Sequence, residues 1–276
     1  MANESDSRRE GLEAWAYGAF AVGSAAVVFF LILGSRPGGP LAVIVYRWGM
    51  LAVFVAALVG LLLSIVWSFL RKPVLQRGRW KPLSVLAATV WVTSYPFPYP
   101  SSHEGHPSPT SFQTPIAESF RVLFAGERAE RDPLALDPAR CFGLVLETST
   151  ENVSVRAPAT GRLLAFTALD ERLSSLGLEG ARFLLQVREN EVLVLEGLAP
   201  DRLALPPGSE VGAGTILGPL AGNRLGVFLV DRATLDLGEG IPMRFSLQGG
   251  ASVEPVRQAL EAGQVLPGEQ GGRGQR

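Results

Sequence analysis

The alternation of hydrophobic and polar positions divides the chain in two. Ala14 to Ser35 and Trp48 to Leu70 run without a single charged residue. Each exceeds the roughly 20 apolar residues that cross the hydrocarbon core of a bilayer. Between them Ser35-Arg36-Pro37-Gly38-Gly39-Pro40 breaks the helix, since proline and glycine both disfavour a helix interior. Leu41 to Tyr46 can extend the second helix backwards, with Arg47 near its start. A third uncharged stretch, Leu83 to Tyr99, is shorter and ends in Trp91, Tyr95, Phe97 and Tyr99, aromatic types that settle at membrane interfaces. Pro96, Pro98 and Pro100 stop it. The pattern predicts membrane spans over about 14–35, 48–70 and 83–99, the first a retained span and not a cleaved leader.

Beyond Pro100 the pattern changes. Residues 100–115 are rich in Pro and Ser and read as an extended linker. From 116 to 248, short runs of Val, Leu and Phe are punctuated by Gly and Pro, which is the grammar of an all-β sandwich. Phe112–Ala125 and Arg140–Glu147 read as its opening strands, with a polar loop between them. Asn152 to Phe166 contains Ala157-Pro158-Ala159-Thr160-Gly161 between two apolar runs, and this spacing predicts a tight hairpin. Leu205 to Gly218 predicts a second reversal of the same kind. Arg182–Val187 and Val192–Glu196 read as a strand pair, and Asp170–Gly180 as a solvated loop. In the tail, 249–276, Val253–Leu260 predicts a short helix and Gly268–Arg276 a disordered end.

Charge adds an orientation. The net charge of -1 hides an asymmetry: 9 basic and 4 acidic residues stand in 1–95, against 16 and 22 in the rest. Arg71 to Lys81 holds five positive charges and no negative one, so this loop, and with it residues 1–13, is expected on the cytoplasmic side. Three spans then put the sandwich outside the cytoplasm. Small residues on the first two spans (Gly18, Ala19, Gly23, Ala25 and Ala26, then Ala52, Ala56, Ala57 and Gly60) predict close helix approach. The mildly acidic C-terminal part argues against a nucleic-acid partner. Cys141 is the chain's one cysteine, so no intrachain disulfide forms, and it reads as a buried, inert thiol.

The sandwich region resembles a known family. Val155-Arg156-Ala157-Pro158-Ala159-Thr160-Gly161-Arg162-Leu163 is similar to the "V-x-A-P-x-x-G-x-V" hairpin of the M23 (lysostaphin/LytM-type) zinc endopeptidases. Leu205 to Gly218 resembles their "V-x-x-G-x-x-V-x-x-G-x-x-L-G", Asn223 stands where their "G-N" precedes the last catalytic strand, and Gly240 to Phe245 resembles a "G-L-P-x-x-F" ending. The resemblance implies peptidoglycan as the family's substrate and zinc as its metal. The metal ligands are missing. Where the family has an Asp, this chain has Gly143, Leu144 or Val145; its "H-L" turn appears as Gly197-Leu198, and its "H-L-H-F" strand as Arg224-Leu225-Gly226-Val227. The degenerate positions are therefore Leu144, Gly197, Arg224 and Gly226. A catalytic zinc needs three protein ligands and an open position, so no catalytic residue, metal or cofactor is expected.

Two alternatives with the same strand grammar fail. Biotinyl and lipoyl carriers need a lysine at the hairpin tip, and the chain's two lysines, Lys72 and Lys81, lie far upstream. Membrane-fusion adaptors insert a long helical hairpin, for which Leu169–Gly180 is too short. Asn152-Val153-Ser154 matches a glycosylation acceptor, a triplet common by chance. The sequence thus points to a non-catalytic scaffolding or binding protein of the bacterial inner membrane. Its expected partners are other membrane or envelope proteins, or peptidoglycan, with Arg224 lining a former substrate groove. The competing reading is a peptidoglycan endopeptidase with a relocated metal site at His103 and His106, in a segment where nearby prolines disfavour the helix that would pair them.

Overall fold

The computed structural model describes residues 3–70, 80–125, 133–150, 153–169, 176–202, 205–246, 257–258 and 265–266, with side chains from Trp15 onward in the first helix. They fall into two compact units, Met1–Pro100 and Ser101–Arg276.

The first unit is helical. Helix α1 spans Asn3–Gly34. Gly38 and Gly39, both at positive φ, turn the chain into α2 (Gly39–Ile44), with Pro40 in its first turn. One π-helical turn, Val45–Gly49, joins α2 to α3 (Met50–Leu70). Trp15–Gly34 and Gly39–Leu70 are long and apolar enough to cross a membrane, and they associate the protein with one. Helix α4 (Trp80–Ser94) has 15 residues, about 22 Å at 1.5 Å per residue. It begins before Leu83 and stops short of Tyr99. Ala19, Ala57 and Leu86 form the contact of α1, α3 and α4. A Cβ at Gly23 would lie 2.7 Å from Val85, and one at Gly49 would meet the Phe29 ring at 2.3 Å. Gly18, by contrast, faces open space. The Trp15 indole donates to Ser64, a polar tie between α1 and α3. Tyr46 donates to the Phe97 carbonyl at 2.7 Å and stacks edge-on with Phe97 and Tyr99, so these aromatics fold back onto the helices.

The second unit is a β domain, antiparallel except where Ser111–Gln113 runs parallel to Arg244–Ser246. Its strands are β1 (Ser111–Gln113), β2 (Phe120–Ala125), β3 (Leu144–Glu147), β4 (Ser154–Arg156), β5 (Gly161–Ala168), β6 (Ala181–Arg188) and β7 (Glu191–Leu198). They continue as β8 (Glu210–Val211), β9 (Ile216–Pro219), β10 (Arg224–Val230), β11 (Arg244–Ser246), β12 (Arg257–Gln258) and β13 (Val265–Leu266). The large sheet runs β13-β2-β3-β10-β7-β6-β5-β8, with β4-β9 and β1-β11-β12 as smaller sheets. The order is open at both ends, so no barrel closes.

Strand alternation builds two cores on the two faces of the large sheet. Leu225, Val227 and Leu229 of β10, with Leu193 and Leu195 of β7, join Val155, Leu217, Phe112 and Phe245 of the small sheets in the main core. Phe228, Val230, Val192 and Val194 face the other way, under Leu134, Leu176 and Leu178.

Three expectations are corrected. The Ala-Pro-x-x-Gly unit is not a hairpin: β4 pairs with β9, while β5 pairs with β6 and β8. Both motif stretches instead cross between the sheets in opposite directions and pair with each other, and the backbone approach is close, a Cβ at Gly161 meeting the Gln186 carbonyl at 2.4 Å. The Pro/Ser segment after Pro100 is seated, not free. Ser102 donates to the buried Glu239 carboxylate from both its N–H (3.3 Å) and its hydroxyl (2.7 Å), and the Ser108 N–H donates to the Pro242 carbonyl at 3.0 Å. A buried carboxylate needs donors, and Ser102 supplies two. Within Val253–Leu260, residues 257–258 form strand β12 against β11; the other positions of that predicted helix, residues 170–175 and the 268–276 tail lie outside the described residues. The β6–β7 hairpin forms as the pattern predicts.

Candidate functional site

Of the expected degenerate positions, Arg224 and Gly226 lie on the second face of the large sheet. Gly226 of β10 stands opposite Val145 of β3 and Glu196 of β7. Leu144 does not join them: alternation turns it into the main core. Gly197 adopts φ +120, where a Cβ would meet the Arg224 carbonyl at 2.4 Å, so it serves close strand approach. Arg224 is held by two partners. Its guanidinium pairs with Glu147 at 3.0 Å and donates to the Leu176 carbonyl at 3.0 Å.

Where an imidazole at 226 would point, the face is filled. The ring of Phe228, two residues along the same strand, lies over Gly226 and Gly143. A Cβ at Gly226 would come within 2.8 Å of that ring, and one at Gly143 within 2.2 Å. Leu178 closes the same space from the loop side. Zinc as the resembled family binds it does not fit here: donors are missing and a phenyl ring occupies their room.

A charge network that sequence reasoning missed lies beside the ring. Glu196 is fully buried and accepts from Arg182 Nε at 2.7 Å and Arg140 Nη2 at 3.0 Å, both on Oε1. Arg140 also pairs with Asp137 and lies 5.4 Å above the Phe228 ring. Burial alone would lower the Arg140 pKa, but Glu196 and then Asp137 hold it above its ordinary value. Glu196 Oε2 and Arg140 Nε have no hydrogen-bond partner. The sequence signal for this network was the lone acid ending the apolar run Val192-Leu193-Val194-Leu195-Glu196.

Cys141, next to Arg140, is buried and donates to the Pro138 carbonyl at 3.0 Å. Burial pushes its thiol up to about 12 from an ordinary 9.0. Thiolate, not thiol, attacks alkylating reagents, so iodoacetamide at pH 8 should leave the folded chain unlabelled and label it on unfolding; rapid labelling of the native protein would contradict this burial. Between pH 9.0 and about 12 the unfolded chain releases a proton that the folded chain keeps, so stability falls as pH rises through that window.

His103 and His106 lie elsewhere, along a cleft of about 770 Å³ with Arg188, Glu189 and Asp231. His106 Nδ1 is 3.1 Å from the Glu104 carbonyl, and the nearby Glu191 accepts from the Ser108 hydroxyl at 2.8 Å. Among the described residues, no three His, Cys, Asp or Glu side chains converge to hold a metal.

No protein-family profile matches the chain. No curated protein matches it either. Solved structures similar to it include Csd3 of Helicobacter pylori in its hexagonal crystal, at 18% identity and TM-score 0.33, over 44% of this chain and 30% of that one. A second is the catalytic domain, in a point-mutant form, of the prophage-encoded M23 protein EnpA from Enterococcus faecalis (19%, TM-score 0.33, over 47% of this chain and 93% of that one). A third is the SpoIIQ–SpoIIIAH pore-forming complex (11%, TM-score 0.34, 48% and 89%). The chain thus spans less than a third of the Csd3 chain.

Proposed function

We propose that this protein is a non-catalytic scaffolding or binding subunit of a bacterial envelope complex, anchored in the cytoplasmic membrane by several helices, with its β domain outside the cytoplasm. One observation carries the reading: the face on which the sequence resemblance would put an M23-type metal site holds the Phe228 ring and the Arg140–Glu196–Arg182 network. A packed apolar ring beside paired arginines is a surface that keeps its shape. The basic stretch Arg71–Lys81 favours a cytoplasmic loop, and exposed Trp91 and Tyr95 suit an interface at the end of α4. Other membrane or envelope proteins are the expected partners.

Purification from native membranes in mild detergent, with mass spectrometry, tests this. A stoichiometric set of co-purifying membrane proteins is the expected result. Recovery of the chain alone, or release of peptidoglycan fragments by the purified chain with zinc, would overturn it.

A further inference from the structure

The large sheet ends at β8, which covers only Gly161 and Arg162 of β5. The rest of β5, Leu164-Ala165-Phe166-Thr167-Ala168, pairs with β6 on its inner side and has no strand on its outer side among the described residues. Its main-chain directions can be worked out. Leu163 exchanges bonds outward, its N–H donating to the Ser209 carbonyl and its carbonyl accepting from Gly208. The bulge between Leu163 and Ala165 shifts the parity by one residue. Leu169 then donates inward to the Gly180 carbonyl at 3.4 Å. Counting back from Leu169, Ala168 and Phe166 present their N–H and C=O groups outward. Both residues are exposed, Phe166 by 40%.

Lysine, proline and inward charges normally blunt an open strand; 164–168 contains none of them. Another extended backbone can pair with such an edge, because a strand offers acceptors and donors at the matching spacing.

We propose that β5 is a self-association edge, through which two copies of this chain pair antiparallel about a twofold axis at Thr167. The pattern is self-complementary. Outward groups at 166 and 168, two residues apart, place Phe166 of one copy opposite Ala168 of the other, and the reverse. In an antiparallel ladder each such pair exchanges two bonds, giving four main-chain hydrogen bonds. The same register sets a large side chain against a small one twice, Phe166 over Ala168. Thr167 meets its symmetry mate at a non-hydrogen-bonded position, where Cα atoms lie about 4.5 Å apart. A twofold contact is the commonest closed symmetry, and confinement to one membrane raises the effective concentration of a modest interface.

The test uses the full chain in mild detergent. Native mass spectrometry should show a dimer. Ala168→Pro removes one outward N–H per copy, two of four bonds, without touching the ladder to β6, and should weaken pairing roughly thirtyfold. Thr167→Cys places two thiols within disulfide reach and should cross-link on mild oxidation, whereas Ile216→Cys, 54% exposed on the small sheet, should not. The buried Cys141 adds no background. A monomeric wild-type chain overturns the proposal. So does a dimer that Ala168→Pro leaves intact, or cross-linking equally efficient at 216. Where Ala168→Pro fails to fold, the comparison of the two cysteine variants decides.

Discussion

Replacing Glu196 by alanine should destabilise the β domain by about 3–5 kcal/mol, the range for breaking a buried charge pair by removing one partner. The reason lies in what stays behind. Arg140 and Arg182 are only 16% and 18% exposed at their side chains, and Glu196 is the acid they share. Without it Arg182 loses the carboxylate its Nε reaches, and Arg140 keeps only Asp137. Glu196→Gln keeps an acceptor but not the charge, so it should fall between wild type and alanine. Replacing the whole triad with apolar residues of similar volume should recover most of the loss, since a buried triad is not intrinsically better than a packed core. The readout is the denaturant midpoint of the detergent-solubilised chain, followed by near-ultraviolet circular dichroism. Equal stability of Glu196→Ala and wild type would mean that these guanidiniums reach solvent.

The network also marks where sequence reasoning stopped. Local rules found what local rules determine: uncharged stretches gave the two long helices, and the β6–β7 hairpin followed from two apolar runs around Arg188–Glu191. The Ala157–Gly161 unit was legible as a turn but not as a crossing, because whether β5 folds back onto β4 or onto β6 depends on partners elsewhere in the chain. The seating of Ser102 on Glu239 is invisible for the same reason, being 137 residues apart in sequence. In the candidate site the absence of His, Cys, Asp and Glu at 224 and 226 was plain from residue types. What replaced them was not. Leu144 was counted among the site positions, yet strand alternation turns it to the main core and gives Gly143 and Val145 to the site face. Phe228 looked like one more apolar residue in an apolar strand, and only the sheet register aims its ring at Gly226.

That ring gives the second large effect. Phe228→Ala should cost about 3–5 kcal/mol, a buried aromatic truncated in a packed cluster. Gly226→Ala should cost about 1–3 kcal/mol by overpacking, since its new Cβ would lie 2.8 Å and 3.1 Å from two Phe228 ring carbons. The double variant should fall short of the sum by roughly 0.5–3 kcal/mol, because removing the ring removes the clash. Gly143→Ala should behave differently: its Cβ meets the Arg140 carbonyl at 2.8 Å as well as the ring, and Phe228→Ala relieves only the second contact. Strict additivity of the 226 and 228 changes in denaturant midpoints would mean that another group fills this space. The coupling bears directly on function. With Phe228 in place, Gly226→His should be worse tolerated than Gly226→Ala. Reopening the face requires losing the ring first, and that step forfeits core packing before any metal could compensate for it. A face in this state is held closed by its own packing.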